Sequence, residues 1–205
     1  MLSSLNLESL FTEALSRHLV VVHELDTQRH RLEEVAGRMT KALLQGNKIL
    51  WCGNGGSASD AQHLAAELVG RYRRDRPGLA SIALTENAAA MIGIANDYGF
   101  NEVFARQVEA LCQRGDVFIG ISTSGNSRNV ALALQRAKHM GACTVAITGD
   151  HGGRLGGAAD IWLRMSSSDT ARIQEAYMLC GHMLCDWVEL ATCISQAVGM
   201  QRNAG

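Results

Sequence analysis

The sequence predicts an α/β fold: a five-stranded parallel sheet sandwiched by helices and preceded by N-terminal helices. Three observations predict it. Five short apolar runs, NKILWCG, LASIAL, DVFIGIST, CTVAITG and DIWLRM, are continuous rather than alternating, as in strands buried on both faces. Helical patterns separate these runs, which is the rhythm of a parallel sheet with crossover helices. Three glycine-rich polar loops, GNGGSAS, STSGNS and TGDHGG, follow strands, at the edge where open parallel sheets bind ligands.

Taken in order, residues 4 to 45 read as one or two amphipathic helices. Leu10, Leu15, Leu19, Val22, Leu25, Leu32, Val35, Met39 and Leu43 recur at three- and four-residue steps. A long helix ahead of the first strand often packs on a partner subunit. Strand 47–53 leads into a helix over 57–74, then strand 79–84. ENAAAMIGIAND predicts a helix ending near Asn96 and Asp97, and 100–112 another, with Gly115 ending the connection after it. Strand 116–123, helix 127–140, strand 143–149 and strand 160–165 follow, and a long helix from 169 to about 197 closes the chain. The division is an N-terminal helical segment, 1–45, and an α/β domain, 46–200.

Composition narrows the function classes. The chain has 205 residues and a formal net charge of −1, so no basic surface advertises nucleic acid or membrane. The N-terminus lacks the basic and apolar regions of a secretory signal, and no apolar run is long enough to span a bilayer. Six cysteines without a CxxC pair read as buried free thiols in a reducing cytoplasm. A single proline argues against long linkers.

The loops carry the chemistry. STSGNS, Ser122 to Ser127, lies between a strand and a helix start. Unpaired helix N–H groups, hydroxyl donors and a glycine that admits close approach make a phosphate cradle without a lysine. The alternative is that Ser127 only caps the helix. In GNGGSAS, Gly53, Gly55 and Ala58 fit a loose dinucleotide fingerprint, but the acidic residue expected about 20 positions on is missing. His63 and Glu67 lie about 40° apart around a helix, so they can share a zinc ion or form a surface hydrogen-bonded pair. Gln174 and His182, about 80° apart, lie among Met178, Leu179, Met183 and Leu184 and need polar partners if that face is buried.

At these residues the sequence resembles a family. GNGGSASDAQHLAAEL, RYRRDRPG, IANDYG, GDVFIGISTSGNSRNV, ITGDHGG and TARIQE stand in the order found in bacterial phosphoheptose isomerases, which are sugar-isomerase (SIS) domain proteins. These convert sedoheptulose 7-phosphate to D-glycero-D-manno-heptose 7-phosphate, the first step of ADP- or GDP-heptose biosynthesis. STSGNS alone indicates only an SIS domain; HxxxE after GNGGS together with RIQE-x6-H is far more specific.

The resemblance implies a flavodoxin- or Rossmann-like SIS fold, one zinc ion per subunit on His63, Glu67, Gln174 and His182, and acid–base roles for Glu67 and His182. It implies sugar-phosphate contacts at Asn54, Gly55, Gly56, Ser57, Glu67, Asn96, Asp97, Ser122, Thr123, Ser124, Ser127 and Gln174, and a homotetramer with sites at subunit interfaces. A related branch, a replication initiator-associating regulatory protein, typically lacks the family glutamate and the last histidine; this chain keeps both. Another SIS sugar-phosphate isomerase is a further alternative. TENAAAMIGIAND is one residue longer than the family pattern.

Overall fold

The structure is a computed structural model and describes residues 6–203. Two helices open it, α1 (Leu7–Glu24) and α2 (Arg29–Leu44), joined by a tight 3-10 turn at Leu25–Gln28. Then come β1 (Ile49–Cys52), α3 (Gly56–Val69), β2 (Ser81–Ala83), α4 (Ala88–Tyr98), α5 (Ala105–Leu111), β3 (Val117–Ser122), α6 (Arg128–His139), β4 (Cys143–Thr148), the single turn α7 (Gly153–Gly156), β5 (Ile161–Arg164) and α8 (Thr170–Asn203). All strand pairings are parallel, in the order β2-β1-β3-β4-β5.

That order reverses direction between β1 and β3. The chain leaves these neighbouring strands to opposite sides, which opens a crevice beyond their carboxyl ends. The two loops predicted to hold ligand, GNGGSAS and STSGNS, are the ones that border it.

Strand residues alternate between two cores, as the pleat requires. Ile49, Trp51, Val117, Ile119 and Ile121 pack with α2, α3 and α8, whereas Leu50, Cys52 and Phe118 pack with α5 and α6. Continuous apolar runs were therefore the right signal, because both faces are covered. Val35, Ala36 and Met39 of α2 lie in the same cluster as the sheet residues. At the opposite end of the sheet from the crevice, buried Asp116 ties β1 to β3. It accepts from the Lys48 N–H at 3.0 Å, the Gln113 N–H at 2.8 Å and Lys48 Nζ at 2.8 Å.

Two predicted helices are shorter than the sequence pattern suggested. The helix expected over 57–74 stops at Val69, and residues 70 to 78 leave it as a loop. Gly70 closes the helix, and the Arg76 guanidinium accounts for its last carbonyls, donating to Glu67 O, Leu68 O and Gly70 O. The helix expected over 100–112 is a 3-10 turn, Phe100–Glu102, followed by α5. Here the apolar spacing continued through a bend whose backbone it could not encode.

Candidate active site

The site begins at the end of β3. Gly125 takes φ +67°, a left-handed conformation, and its N–H donates to Ser122 O at 2.9 Å. The chain then enters α6 with Ser127 at the N-cap. The capping alternative fails here. The Ser127 hydroxyl makes no cap bond and lies 2.8 Å from Ser122 Oγ instead. Hydroxyls and the helix's free N–H groups thus border one short loop, the donor set an anion needs.

TGDHGG backs this loop rather than joining its ligand edge. The Gly149 N–H donates to Thr123 O at 3.0 Å and the Leu155 N–H to Gly125 O at 3.1 Å. A Cβ on Gly125 would stand 2.2 Å from Gly152 O, so only glycine permits this packing.

The loop after β1 is stitched to the same structure. Asn54 and Asn129 exchange two amide hydrogen bonds, each 2.9 Å, across the crevice between β1 and β3. Asn129 is buried and was not singled out from the sequence; its place two residues after STSGNS was the only signal. Ser57 lies in the first turn of α3 but is only 4% exposed, and its hydroxyl pairs with Tyr177 OH at 3.1 Å. Tyr177 OH in turn donates to Asp60. Burial first, and the Asp60 carboxylate next, push the Tyr177 phenol well above its ordinary value, so it stays a donor. The Ser57 side chain is therefore committed to the protein, which leaves its backbone N–H as the group free to meet a ligand.

The second half of the site lies along α3 and α8. His63 Nε2 is 3.1 Å from Glu67 Oε1, and His182 Nε2 is 3.5 Å from His63 Nε2. The three donor atoms lie within 4.8 Å of one another. Gly181 makes the meeting possible: a Cβ there would stand 2.6 Å from a Leu64 methyl, so the helices approach closely one residue before His182.

This set fits zinc. Bonds of about 2.0–2.1 Å in tetrahedral geometry put donors about 3.3 Å apart, and the two observed contacts bracket that spacing. Gln174 stands nearer the first loop, where a Cβ on Gly56 would meet its Nε2 at 2.6 Å. The α8 face around His182 is only partly buried. Leu179 and Met183 are exposed, because the sheet side of α8 is taken by Ala176, Tyr177, Cys180 and Leu184.

Asn96 and Asp97 lie at the exposed end of α4 and hydrogen-bond to each other at 2.8 Å. No hydrogen bond among the described residues joins them to the other site residues. Cys52, Cys112, Cys180 and Cys185 are buried free thiols, and Cys143 and Cys193 are partly exposed. Burial pushes Cys180 and Cys185 up to about 12, far from nucleophilic at neutral pH.

Parallel-sheet topology, a serine-rich loop at the switch point and a His–Glu–His cluster on α3 and α8 accord with an SIS-type sugar-phosphate protein, and the SIS domain profile matches residues 11–149. Within that class the chain belongs to the phosphoheptose isomerase family. It is 49% identical to the phosphoheptose isomerase of Helicobacter hepaticus over 183 residues, covering 89% of this chain and 93% of that one. It is 48% identical to the Aquifex aeolicus enzyme, covering 91% and 96%. The solved phosphoheptose isomerase of Neisseria gonorrhoeae superposes with a TM-score of 0.85 at 39% identity, covering 90% of this chain and 99% of that one.

Proposed function

We propose that the chain converts sedoheptulose 7-phosphate to D-glycero-D-manno-heptose 7-phosphate, the first step of ADP- or GDP-heptose biosynthesis. The observation that carries this is the convergence of His63 and Glu67, on the helix that follows the first glycine-rich loop, with His182 of α8, in a chain of this family. The seven residue steps from Gly56 to His63 are about 10 Å of helix, on the scale of an extended seven-carbon sugar phosphate.

The reaction moves a proton from C1 of the ketose to C2 through an enediol, while one hydroxyl proton passes from O1 to O2. Glu67 acts as acid–base at one carbon and His182 at the other. Zinc, held by His63, Glu67 and His182 with Gln174 completing the set, supplies Lewis-acid polarisation when bound. Ser122, Thr123, Ser124 and Ser127 hold the phosphate, with helix N–H groups in place of a lysine. Asn54, Gly55, Gly56 and Ser57 line the sugar, the last through its N–H. Asn96 and Asp97 join them in the assembled protein, and Glu67 and Gln174 also touch substrate.

The assembled form is a homotetramer. Leu179, Met183, Trp187, Leu190 and Ile194 form an exposed apolar stripe at helical spacing on α8. It runs beside a cavity of about 880 Å³ under the turn between α1 and α2. The protein works in the cytoplasm, in keeping with its free thiols; no helix among the described residues is long and apolar enough to cross a membrane.

The deciding experiment is isomerisation of sedoheptulose 7-phosphate alongside a panel of hexose and pentose ketose phosphates. Preference for the seven-carbon substrate supports the assignment, and preference for a shorter sugar sinks it. Light scattering checks the tetramer, and metal analysis of the purified protein checks zinc.

A further inference from the structure

The loop from Gly70 to Gly78 is bound to α8 by a row of contacts that leads to His182. His182, Asp186 and Glu189 are four and three residues apart, so they share one face of α8. Glu189 is fully buried, and its carboxylate accepts the consecutive backbone N–H groups of Tyr72, Arg73 and Arg74, each at 2.9 Å. Arg76, whose side chain is also buried, sits 3.3 Å from the same carboxylate and holds the end of α3. Asp186 receives Arg73 at 3.1 Å and Arg74 at 2.5 Å. At the head of the row the Tyr72 ring lies on the His182 imidazole, with centroids 5.5 Å apart and planes 17° from parallel.

Such a stack matters because of what His182 lacks. A histidine that must present one nitrogen usually has its ring fixed by a hydrogen bond from the other. Among the described residues, the one hydrogen-bond contact of His182 is Nε2 to His63 Nε2. The torsion that turns the ring is intrinsically broad. The ring is instead flanked by two others: His63 meets it edge-on, with centroids 5.2 Å apart, and Tyr72 lies nearly parallel to it and offset.

We propose that Tyr72, held by the Glu189 clamp, is a positioning residue that fixes the plane of the His182 ring and so aims its Nε2 at the point shared with His63 and Glu67. This rests on the site reading above. It gives RYRRDRPG a role: the loop is the wall that orients one site residue, and the arginines fasten the wall. Aromaticity is the property required at position 72, and the phenol hydroxyl is not.

The test uses the full chain with Tyr72→Phe and Tyr72→Ala; Tyr72→Leu replaces the alanine variant if that does not fold. Metal-free protein carrying 13C-labelled histidine reports ring motion by relaxation, with the His182 signal assigned by its loss in His182→Gln. Zinc affinity is measured by competition with a chelating dye, and kcat and KM separately with the heptulose phosphate. Tyr72→Ala should loosen the His182 ring, weaken zinc about tenfold and lower kcat about as much, with KM within twofold. Tyr72→Phe should match the parent in all three. A folded alanine or leucine variant with unchanged ring motion and zinc affinity would overturn the proposal, as would a phenylalanine variant as impaired as alanine. If the parent neither binds zinc nor isomerises the sugar, the site reading fails; the ring-motion measurement still decides the role of Tyr72.

Discussion

The loops after β1 and β3 adjoin the paired faces of α3 and α8, and the two regions are held by different means. The loops are made from backbone. Gly125 turns left-handed, TGDHGG packs beneath it, and the Asn54–Asn129 pair locks the two loops together. The helix faces are made from side chains. His63 and His182 are 119 residues apart in sequence and meet because Gly181 lets α8 close on Leu64. A backbone cradle tolerates little change in its glycines. A side-chain cluster can lose one chemical group and keep its fold. The two halves should therefore fail differently when altered.

The largest effect is expected on the helix face. Glu67→Gln should lower kcat/KM by roughly a thousandfold, the scale of a lost acid–base group. Its melting temperature should stay near that of the parent, because neither side chain of the His63–Glu67 pair is buried and glutamine keeps the shape of glutamate. Near-normal turnover would remove Glu67 from the chemistry.

On the cradle side, Gly125→Ala should reverse that pattern. Its Cβ would collide with the Gly152 carbonyl at a positive φ, so stability in urea should fall by about 3 kcal/mol. Sugar-phosphate binding should be lost with it. Unchanged stability would mean that TGDHGG is not the support described.

Gly181→Ala tests the joint between the regions. The new methyl must displace Leu64, at about 1–2 kcal/mol. Zinc affinity should fall while binding of a phosphate-bearing sugar changes little. A parallel loss of both would show that the two halves are less independent than their construction suggests.

The smallest effect concerns acid. Burial opposes the charge on Glu189, but the N–H groups of Arg73, Tyr72 and Arg74 and the charge of Arg76 outweigh it and hold its carboxyl below the ordinary 4.5. A lowered folded value means that the unfolded chain binds the proton more readily. The stabilisation is complete above the ordinary glutamate range and is lost as pH falls through the folded value. The protection factors of the Tyr72, Arg73 and Arg74 amides, measured against their intrinsic exchange rates, should fall in that acid window before those of the sheet amides. In Glu189→Gln the same amides should be less protected at neutral pH and show no such acid step.

Much of this was legible in the sequence, for reasons that differ between the regions. STSGNS could be singled out because glycine and hydroxyl residues at a strand-to-helix junction suit either an anion or a helix cap. The asparagine that braces it did not, since Asn129 acquires its partner only when β1 and β3 become neighbours. HxxxE was readable because one turn of helix brings both residues together. The end of α3 was misread because RYRR continues a helical composition, and the Glu189 carboxylate that draws those N–H groups away lies at least 115 residues further on.

By itself the sequence determined the parallel sheet, the order of its elements and the loops at its ligand edge, because periodicity and turn chemistry act over a few residues. The residues of the His–Glu–His cluster could be named from local spacing and family resemblance. Only the tertiary structure decided that α3 and α8 touch at Gly181, that Ser57 turns its hydroxyl inward to Tyr177, and that Tyr72 lies flat on His182. Each of these depends on how closely two distant segments pack, and packing distance is set by the whole core rather than by neighbours along the chain.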